Sequence, residues 1–299
     1  MKTLVFGSLN LDKTYELDEF VQPGQTICAR NMTEYCGGKG FNQAVALSRA
    51  GNHVYFAGAV GVDGQRILDA LDQNKIDRHH VRQRLCATGH AIIQVDRNGQ
   101  NCIIILSGAN DTITQSDVID VLDNFGAGDL LVLQNEISNV DKIVEHAHEK
   151  GMVVAYNPSP FNEKCLLCDL DLVNILLINE TEGRAMTNLE TAEDILRNLH
   201  AKYPRLTAVL TLGHKGSMYI DKSGEVIQCG IYSTQVVDTT AAGDTFTGYF
   251  LSSLLKKGSP REALRQAAIA VGLSVSRHGA EPSIPFFAQV IECEKMQMK

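Results

Sequence analysis

The run Asp238-Thr239-Thr240-Ala241-Ala242-Gly243-Asp244 leads from an extended stretch, 232–237, into a helical pattern with Phe246, Phe250, Leu251 and Leu254 on one side. Three small residues therefore open a helix, and an aspartate stands at its start. Unpaired N–H groups and the positive end of the helix dipole gather at such a place and attract anions. With no large side chain at Ala241, Ala242 or Gly243, a phosphate can approach that backbone closely. Asp244 then stands where a transferring phosphoryl group meets its acceptor, a fitting position for a general base on an alcohol. An ordinary first-turn aspartate, favoured by the dipole alone, fits the same residues, and the local sequence leaves both readings open.

Other polar residues fall at the ends of apolar runs. Asn10 and Asp12 follow the first run, two positions apart and so on one side of an extended chain, although Asn and Asp after a strand also form turns. Gly37-Gly38-Lys39-Gly40-Phe41-Asn42-Gln43-Ala44 opens a helix: its glycines permit close backbone approach, and Lys39 and Asn42 offer polar contacts. A Gly-rich entry to a surface helix is the plain alternative. Glu136 and Asn179 also follow apolar runs, and ligands of open α/β sheets gather at the carboxyl ends of strands. Glu182, three residues after Asn179, also reads as a first-turn helix carboxylate. Thr211-Leu-Gly213-His-Lys-Gly216 is a weak signal alone, since Gly-x-x-Gly after a strand is often a hairpin turn.

The elements that must position these residues alternate. Buried-strand runs at 3–8, 53–60, 129–134, 152–157, 173–179 and 206–212 are separated by helical patterns at 40–50, 64–73, 116–125, 140–150 and 191–202. Gly51 and Gly151 follow two helices as C-terminal caps. This alternation predicts an α/β fold, a three-layer α/β/α sandwich around a mainly parallel sheet. After Asp238 the chain turns helical at 242–256, 260–276 and 285–295. Segments 12–34 and 89–106 break the alternation; the second reads as a hairpin turning at Arg97-Asn98-Gly99. Together they predict a small separate sheet on a single 1–299 domain.

Composition excludes several classes. With 299 residues, net charge -8 and 44% hydrophobic residues, the chain can bury a large core and offers no basic surface for nucleic acid. No apolar stretch reaches the ~20 residues of a membrane span, and residues 1–9 read as a strand rather than a signal peptide. Eight irregularly spaced cysteines, among them Cys165-Leu-Leu-Cys168, fit reduced cytosolic thiols with a structural or incidental role. Gly-x-Gly-x-x-Gly is missing after the first strand, which argues against a dinucleotide oxidoreductase.

The 238–244 segment resembles the second signature of the PfkB, or ribokinase-like, carbohydrate kinases, and the 37–44 segment resembles the first, in the lysine-bearing form nearest to ribokinases. The resemblance runs from Gly7 to about Pro285, with motifs in family order. It implies an ATP-dependent sugar kinase that forms ribose 5-phosphate, with Asp244 as base and the backbone of Ala241, Ala242 and Gly243 as anion hole. It implies sugar contacts at Asn10, Asp12, Gly38, Lys39, Asn42, Ala91, Ile103 and Glu136, under a lid made by the small sheet. Asn179, Glu182, Thr211, Gly213, Gly216 and Gly243 fall on the Mg²⁺-nucleotide side, with Ala268 where many ribokinases have a polar residue near the adenine. A monovalent cation, potassium, is implied at Asp238, Thr240, Ser274, Arg277, Gly279 and Ser283, through mostly backbone oxygens. A cytoplasmic homodimer joined through the lid sheet is the expected assembly. Another pentose, deoxyribose, a ketohexose or a nucleoside remain alternative substrates, and a non-catalytic sugar-binding regulator is the rival from another class.

Overall fold

The computed structural model describes residues 1–297, so the last two positions of the expected 1–299 domain lie outside it. The chain begins with strands β1 (Thr3–Phe6), β2 (Asn10–Glu16) and β3 (Asn31–Gly37), then helix α1 (Lys39–Arg49). Next come β4 (Val54–Val60), α2 (Gln65–Gln73), β5 (Asp77–Gln83), β6 (Gly89–Val95), β7 (Asn101–Leu106) and α3 (Gln115–Leu122). The middle holds β8 (Leu130–Gln134), α4 (Val140–Glu149), β9 (Val153–Asn157), β10 (Ile175–Asn179), α5 (Glu180–Thr187), α6 (Ala192–Lys202) and β11 (Thr207–Thr211). Strands β12 (Ser217–Ile220) and β13 (Val226–Cys229) precede the closing helices α7 (Ala242–Leu255), α8 (Pro260–Val275) and α9 (Phe287–Gln297).

The main sheet has nine strands in the order β13-β12-β11-β10-β9-β8-β1-β4-β5, parallel except at β12 and β13. Alternate residues of each central strand enter opposite cores. Leu4, Phe6, Leu131, Leu133, Val154 and Tyr156 join α3, α4 and α6 on one face. Val5, Val132, Ala155, Leu177 and Val209 join α1, α7 and α8 on the other. Burial on both faces explains why these strands read as unbroken apolar runs. Gly51 and Gly151 adopt φ of +93° and +70° just past α1 and α4, the left-handed geometry that ends a helix.

A second sheet of four strands, β3-β2-β6-β7, stands apart. Its middle pair, β2 and β6, is parallel, with Asn10 opposite Gly89 and Asp12 opposite Ala91. It spans slightly more than the expected 12–34 and 89–106, since β2 begins at Asn10 and β3 runs to Gly37. Three elements went unpredicted. Strand β5 carries Arg78, His79, His80 and Arg82 because it is an edge strand with no buried residue. Helix α5 is only eight residues long, and β12–β13 is a short antiparallel hairpin after the Gly213–Lys215 turn. The 232–237 run forms no strand; Val237 N–H instead donates to Val275 O at 2.8 Å.

Candidate active site

Polar residues, Thr211, Asn179, Glu136 and Asn10 of the sequence analysis among them, sit at the carboxyl ends of consecutive strands. In the order of the sheet these are Thr211 on β11, Asn179 on β10, Asn157 on β9, Gln134 and Glu136 at the end of β8, and Asn10 beyond β1. Helix α1 starts beside this row because Gly40 lies on Gly7 and Ser8. A Cβ added at Gly40 would come within 2.5 Å of Ser8 N and 2.7 Å of Gly7 Cα. Gly38 before it has φ 93°, which a side chain would strain.

The sugar-side residues converge. Asn10 (7% exposed) accepts through Oδ1 from Asn110 Nδ2 at 2.8 Å, leaving its own N–H₂ free. Asn110 also receives Leu9 N–H at 3.0 Å, which pins the turn after β1. Asp12 lies over Gly37, where a Cβ would collide with its carboxylate. Burial, then the nearby Glu136 carboxylate, push the Asp12 carboxyl up to about 6. Glu136 is also raised, chiefly by burial, against the pull of Lys39. It accepts from Ser8 Oγ and, at 2.9 Å, from Lys39 N–H. Burial opposes charge on Lys39, but Asp244, Glu136 and Glu182 outweigh it and raise its pKa. Lys39 is thus a buried ammonium among carboxylates, suited to an anionic group. Ala91 is buried beside Asp12 across the β2–β6 ladder. Ile103 is the exception: register puts it on the Asp12 face, but on the outer strand β7 and 52% exposed, so the chain does not close it over its own site.

Asp244 is the third residue of α7 and 7% exposed. Gln43 Nε2 donates to its Oδ1 at 2.9 Å, and Asn42 Nδ2 lies 3.4 Å from Oδ2. Ala241, at the N-cap, holds φ 58°, a left-handed conformation that costs a residue with a Cβ on the order of 1 kcal/mol. The expected anion hole needs one correction: Ala242 N–H already donates to Thr239 O at 3.2 Å. Among the described residues, the N–H groups of Ala241, Gly243 and Asp244 have no acceptor, and this is the set a helix N-terminus offers an anion.

On the other side of Asp244 lies a cleft of about 350 Å³, lined by Thr211, Gly213, Gly216, Tyr232, Val236, Gly243, Ala268 and Val271 among others. It suits a flat apolar base, and Ala268 brings no polar group to it. The irregular 232–237 segment forms one wall. Asn179 and Glu182 line the adjoining polar hollow with Lys39 and Asp244. They also cap α5 reciprocally, each backbone N–H donating to the other's side chain at 2.9 Å. Glu182 is therefore a first-turn carboxylate whose residue also lines this hollow.

The six residues expected around a monovalent cation fall in one hydrogen-bonded region. Asp238 Oδ1 accepts from Thr240 N at 2.9 Å and Thr240 Oγ1 at 2.6 Å, and Oδ2 accepts from Gly279 N at 2.9 Å. Burial pushes the Asp238 carboxyl up, but these donors outweigh it and hold it below the usual range. Ser274 and Ser283 share a 2.8 Å hydroxyl bond, and Arg277 N–H donates to Ser274 O at 3.0 Å. The carbonyls of Asp238, Thr240, Arg277 and Gly279 accept no hydrogen bond among the described residues. Unpaired carbonyls beside a carboxylate fit a large monovalent cation. No cluster of three or more His, Cys, Asp or Glu suited to a metal ion occurs among the described residues. Cys165 is buried in a 3-10 turn with its Sγ 3.4 Å from Pro158 O, and Cys168, buried too, directly follows that turn.

Sequence reasoning passed over Ser8, Gln43, Asn110, Gln134 and Asn157. Gln43 lay inside the quoted 37–44 run, and Gln134 and Asn157 end strands as Asn179 does. Strand-end position was the signal available for these two.

Known proteins match this arrangement along the whole chain. The model of the pfkB family carbohydrate kinases matches residues 2–286. A ribokinase of Haemophilus influenzae is 35% identical over 97% of this chain and 98% of its own. Among solved structures, Arabidopsis thaliana ribokinase complexed with ribose and ATP superposes with TM-score 0.87 and 32% identity, covering 97% of each chain. Ribokinase from Cryptococcus neoformans in complex with ADP gives TM-score 0.88 and 30% identity over 98% of this chain and 99% of that one. With an aspartate buried at a helix N-terminus beside an apolar cleft, on this fold and with a family match over residues 2–286 and these relatives, the chain belongs to the pfkB family of carbohydrate kinases.

Proposed function

We propose that this kinase transfers the γ-phosphoryl group of ATP to the primary hydroxyl of D-ribose, giving ribose 5-phosphate and ADP. The observation that carries the reading is the position of Asp244, buried at the start of α7 with the Asn10–Asp12–Lys39–Glu136 pocket on one side and the base cleft on the other. Asn10 donates to the sugar through its free amide, and Asp12 and Glu136 accept from its hydroxyls. Asp244 takes the proton of the primary hydroxyl as that oxygen attacks phosphorus. The N–H groups of Ala241, Gly243 and Asp244 meet the charge that builds on the moving group. Lys39 faces the same charge. Asn179 and Glu182 would hold Mg²⁺ with the nucleotide, where it would neutralise phosphate charge, and the oxygens of 238–240 and 274–283 would hold potassium, which would stiffen the turn that aims those N–H groups.

The relatives' printed ligands, ribose with ATP and ADP, support this assignment of the two sides. The lid supports a homodimer: β7 exposes Ile103, Ile104, Ile105 and Leu106 by 51–61% on an edge strand, a surface suited to a second copy. A cytoplasmic setting agrees with the ATP requirement and with eight free cysteines. The test is a screen of purified protein against pentoses, deoxyribose, ketohexoses and nucleosides for ADP release, with and without potassium. Ribose should give the highest kcat/KM. A higher value for another sugar or a nucleoside reassigns the substrate, and binding without ADP release makes the chain a sugar sensor.

A further inference from the structure

Behind the base lies a chain of buried amides. Gln43, fully buried on α1, donates from Nε2 to Asp244 Oδ1 at 2.9 Å and to Asn157 Oδ1 at 3.2 Å. Its Oε1 accepts from Gln134 Nε2 at 2.7 Å. Asn157 Nδ2 in turn donates to the Leu177 carbonyl at 2.7 Å. Each amide therefore has one self-consistent orientation. Gln134 must give its N–H₂ to Gln43, and Gln43 must give both of its hydrogens, one of them to Asp244. Flipping Gln43 would set its oxygen against the Asp244 carboxylate and its nitrogen against the Gln134 amide nitrogen, losing three bonds at once. The chain is anchored at the ends of β8 and β9 and at the middle of β10, so it is held by the sheet rather than by a loop.

The two Asp244 oxygens are consequently unequal. Oδ1 receives the short Gln43 bond, while Oδ2 has only the 3.4 Å contact with Asn42. We propose that Gln43, oriented by Gln134, is the positioning residue that fixes the Asp244 carboxylate so that Oδ2 alone takes the substrate proton. This rests on the sugar-kinase reading above. In the step, the hydroxyl O–H bond breaks and its proton bonds to Oδ2. The hydroxyl oxygen forms its bond to phosphorus with its own electron pair, and ADP leaves with the pair of the broken P–O bond. Gln43 contributes no proton. A carboxylate free to rotate would spend part of its time with neither oxygen aimed at the hydroxyl, and misplacement of this kind lowers rate without lowering affinity. The other charged groups around the base are Lys39, on the same helix as Gln43, and the carboxylates of Glu136 and Glu182. All three remain in place when Gln43 is changed.

The test compares Gln43→Leu, Gln43→Glu and Gln134→Leu with the wild type, using steady-state kinetics across pH. Gln43→Leu should lower kcat by about 10–100-fold, the rate equivalent of a hydrogen bond to a charged group, and leave KM for sugar and ATP within about 3-fold. Gln134→Leu frees the Gln43 amide one link further back and should give the same split with a smaller fall in kcat. It carries the test if thermal melting shows that Gln43→Leu does not fold. In Gln43→Glu the introduced carboxyl can donate to Oδ1 only when protonated, so the ratio of its kcat to the wild-type value should rise as pH falls. Because an ionised carboxyl there also repels Asp244 whatever Gln43 does, the readout that separates positioning from filled space is the fall confined to kcat in the Leu variants. Wild-type kcat in the Leu variants, a loss carried by KM alone, or a pH-independent ratio in Gln43→Glu would overturn the proposal while the kinase reading stands. A wild-type protein inert towards every sugar and nucleoside ends both.

Discussion

Asp12 accepts no hydrogen bond from any described side chain, and burial and Glu136 together push its carboxyl up to about 6 from 3.8. In the folded protein its ionised form is therefore disfavoured. Its contribution to stability is negative above pH ~6, shrinks as pH falls and vanishes below ~4, where the carboxyl is protonated in both states; the shift corresponds to roughly 2–3 kcal/mol. Asp12→Asn should accordingly raise the urea midpoint at pH 7.5, with the gain fading towards pH 4.5, and should raise KM for the sugar. A variant no more stable than the wild type at pH 7.5 would show that the carboxylate is not strained in the free protein. Asp244→Asn keeps shape and removes the base. Turnover should fall at least ~10²–10⁴-fold, while sugar binding measured by calorimetry stays within a few-fold. Near-normal turnover would remove Asp244 from the mechanism. At this scale the sequence pointed to Asp244, Asn10 and Asp12 as polar residues beside strand ends and helix starts, where the structure places them, but their types alone left turn and cap readings open. Gln43 and Asn110 were not, because a glutamine in a helix or an asparagine in a loop declares no role until its partner, here Asp244 or Asn10, is placed beside it.

Among the elements, α1 and α7 do most to assemble the site, and each depends on small residues at its start. Gly40→Ala would drive α1 away from β1 at the crossing with Gly7 and Ser8. The expected cost is ~1–3 kcal/mol in overpacking, with loss of activity because Lys39, Asn42 and Gln43 move with the helix; urea unfolding and ADP release read the two effects separately. Asp238 ties the start of the turn into α7, through Thr240, to Gly279 beyond α8. Potassium should raise kcat above its value in sodium or lithium, and Asp238→Ala should lower activity and blunt that response. Equal rates in potassium and in a strictly potassium-free buffer would remove the cation from these loops. The eight predicted helices and six predicted strands were readable because both cores impose a period on the sequence, whereas the eight-residue α5 is too short to show one. Strand β5 was not, since an edge strand of Arg and His has no apolar signal, and the break at 12–34 and 89–106 foretold a separate sheet but not the parallel β2–β6 pairing that joins it.

At the scale of the whole molecule, the small sheet leaves its outer strand β7 bare on both faces. Ile104, 61% exposed, is the residue to test: the wild type should sediment as a dimer, and Ile104→Asp should shift it to monomer. A wild type that is monomeric at micromolar concentration would remove the second copy from the lid. The order of the main sheet carries a further consequence. The residues proposed for the sugar come from the ends of β1 and β8, the start of α1 and the small sheet, those proposed for the nucleotide from β10, β11 and the segments that follow, and the starts of α1 and α7 border both. The acceptor half and the donor half are thus separate modules sharing one catalytic hub. A lineage can retool what it phosphorylates by altering the lid and the turn after β1, while the donor side and the hub are inherited unchanged.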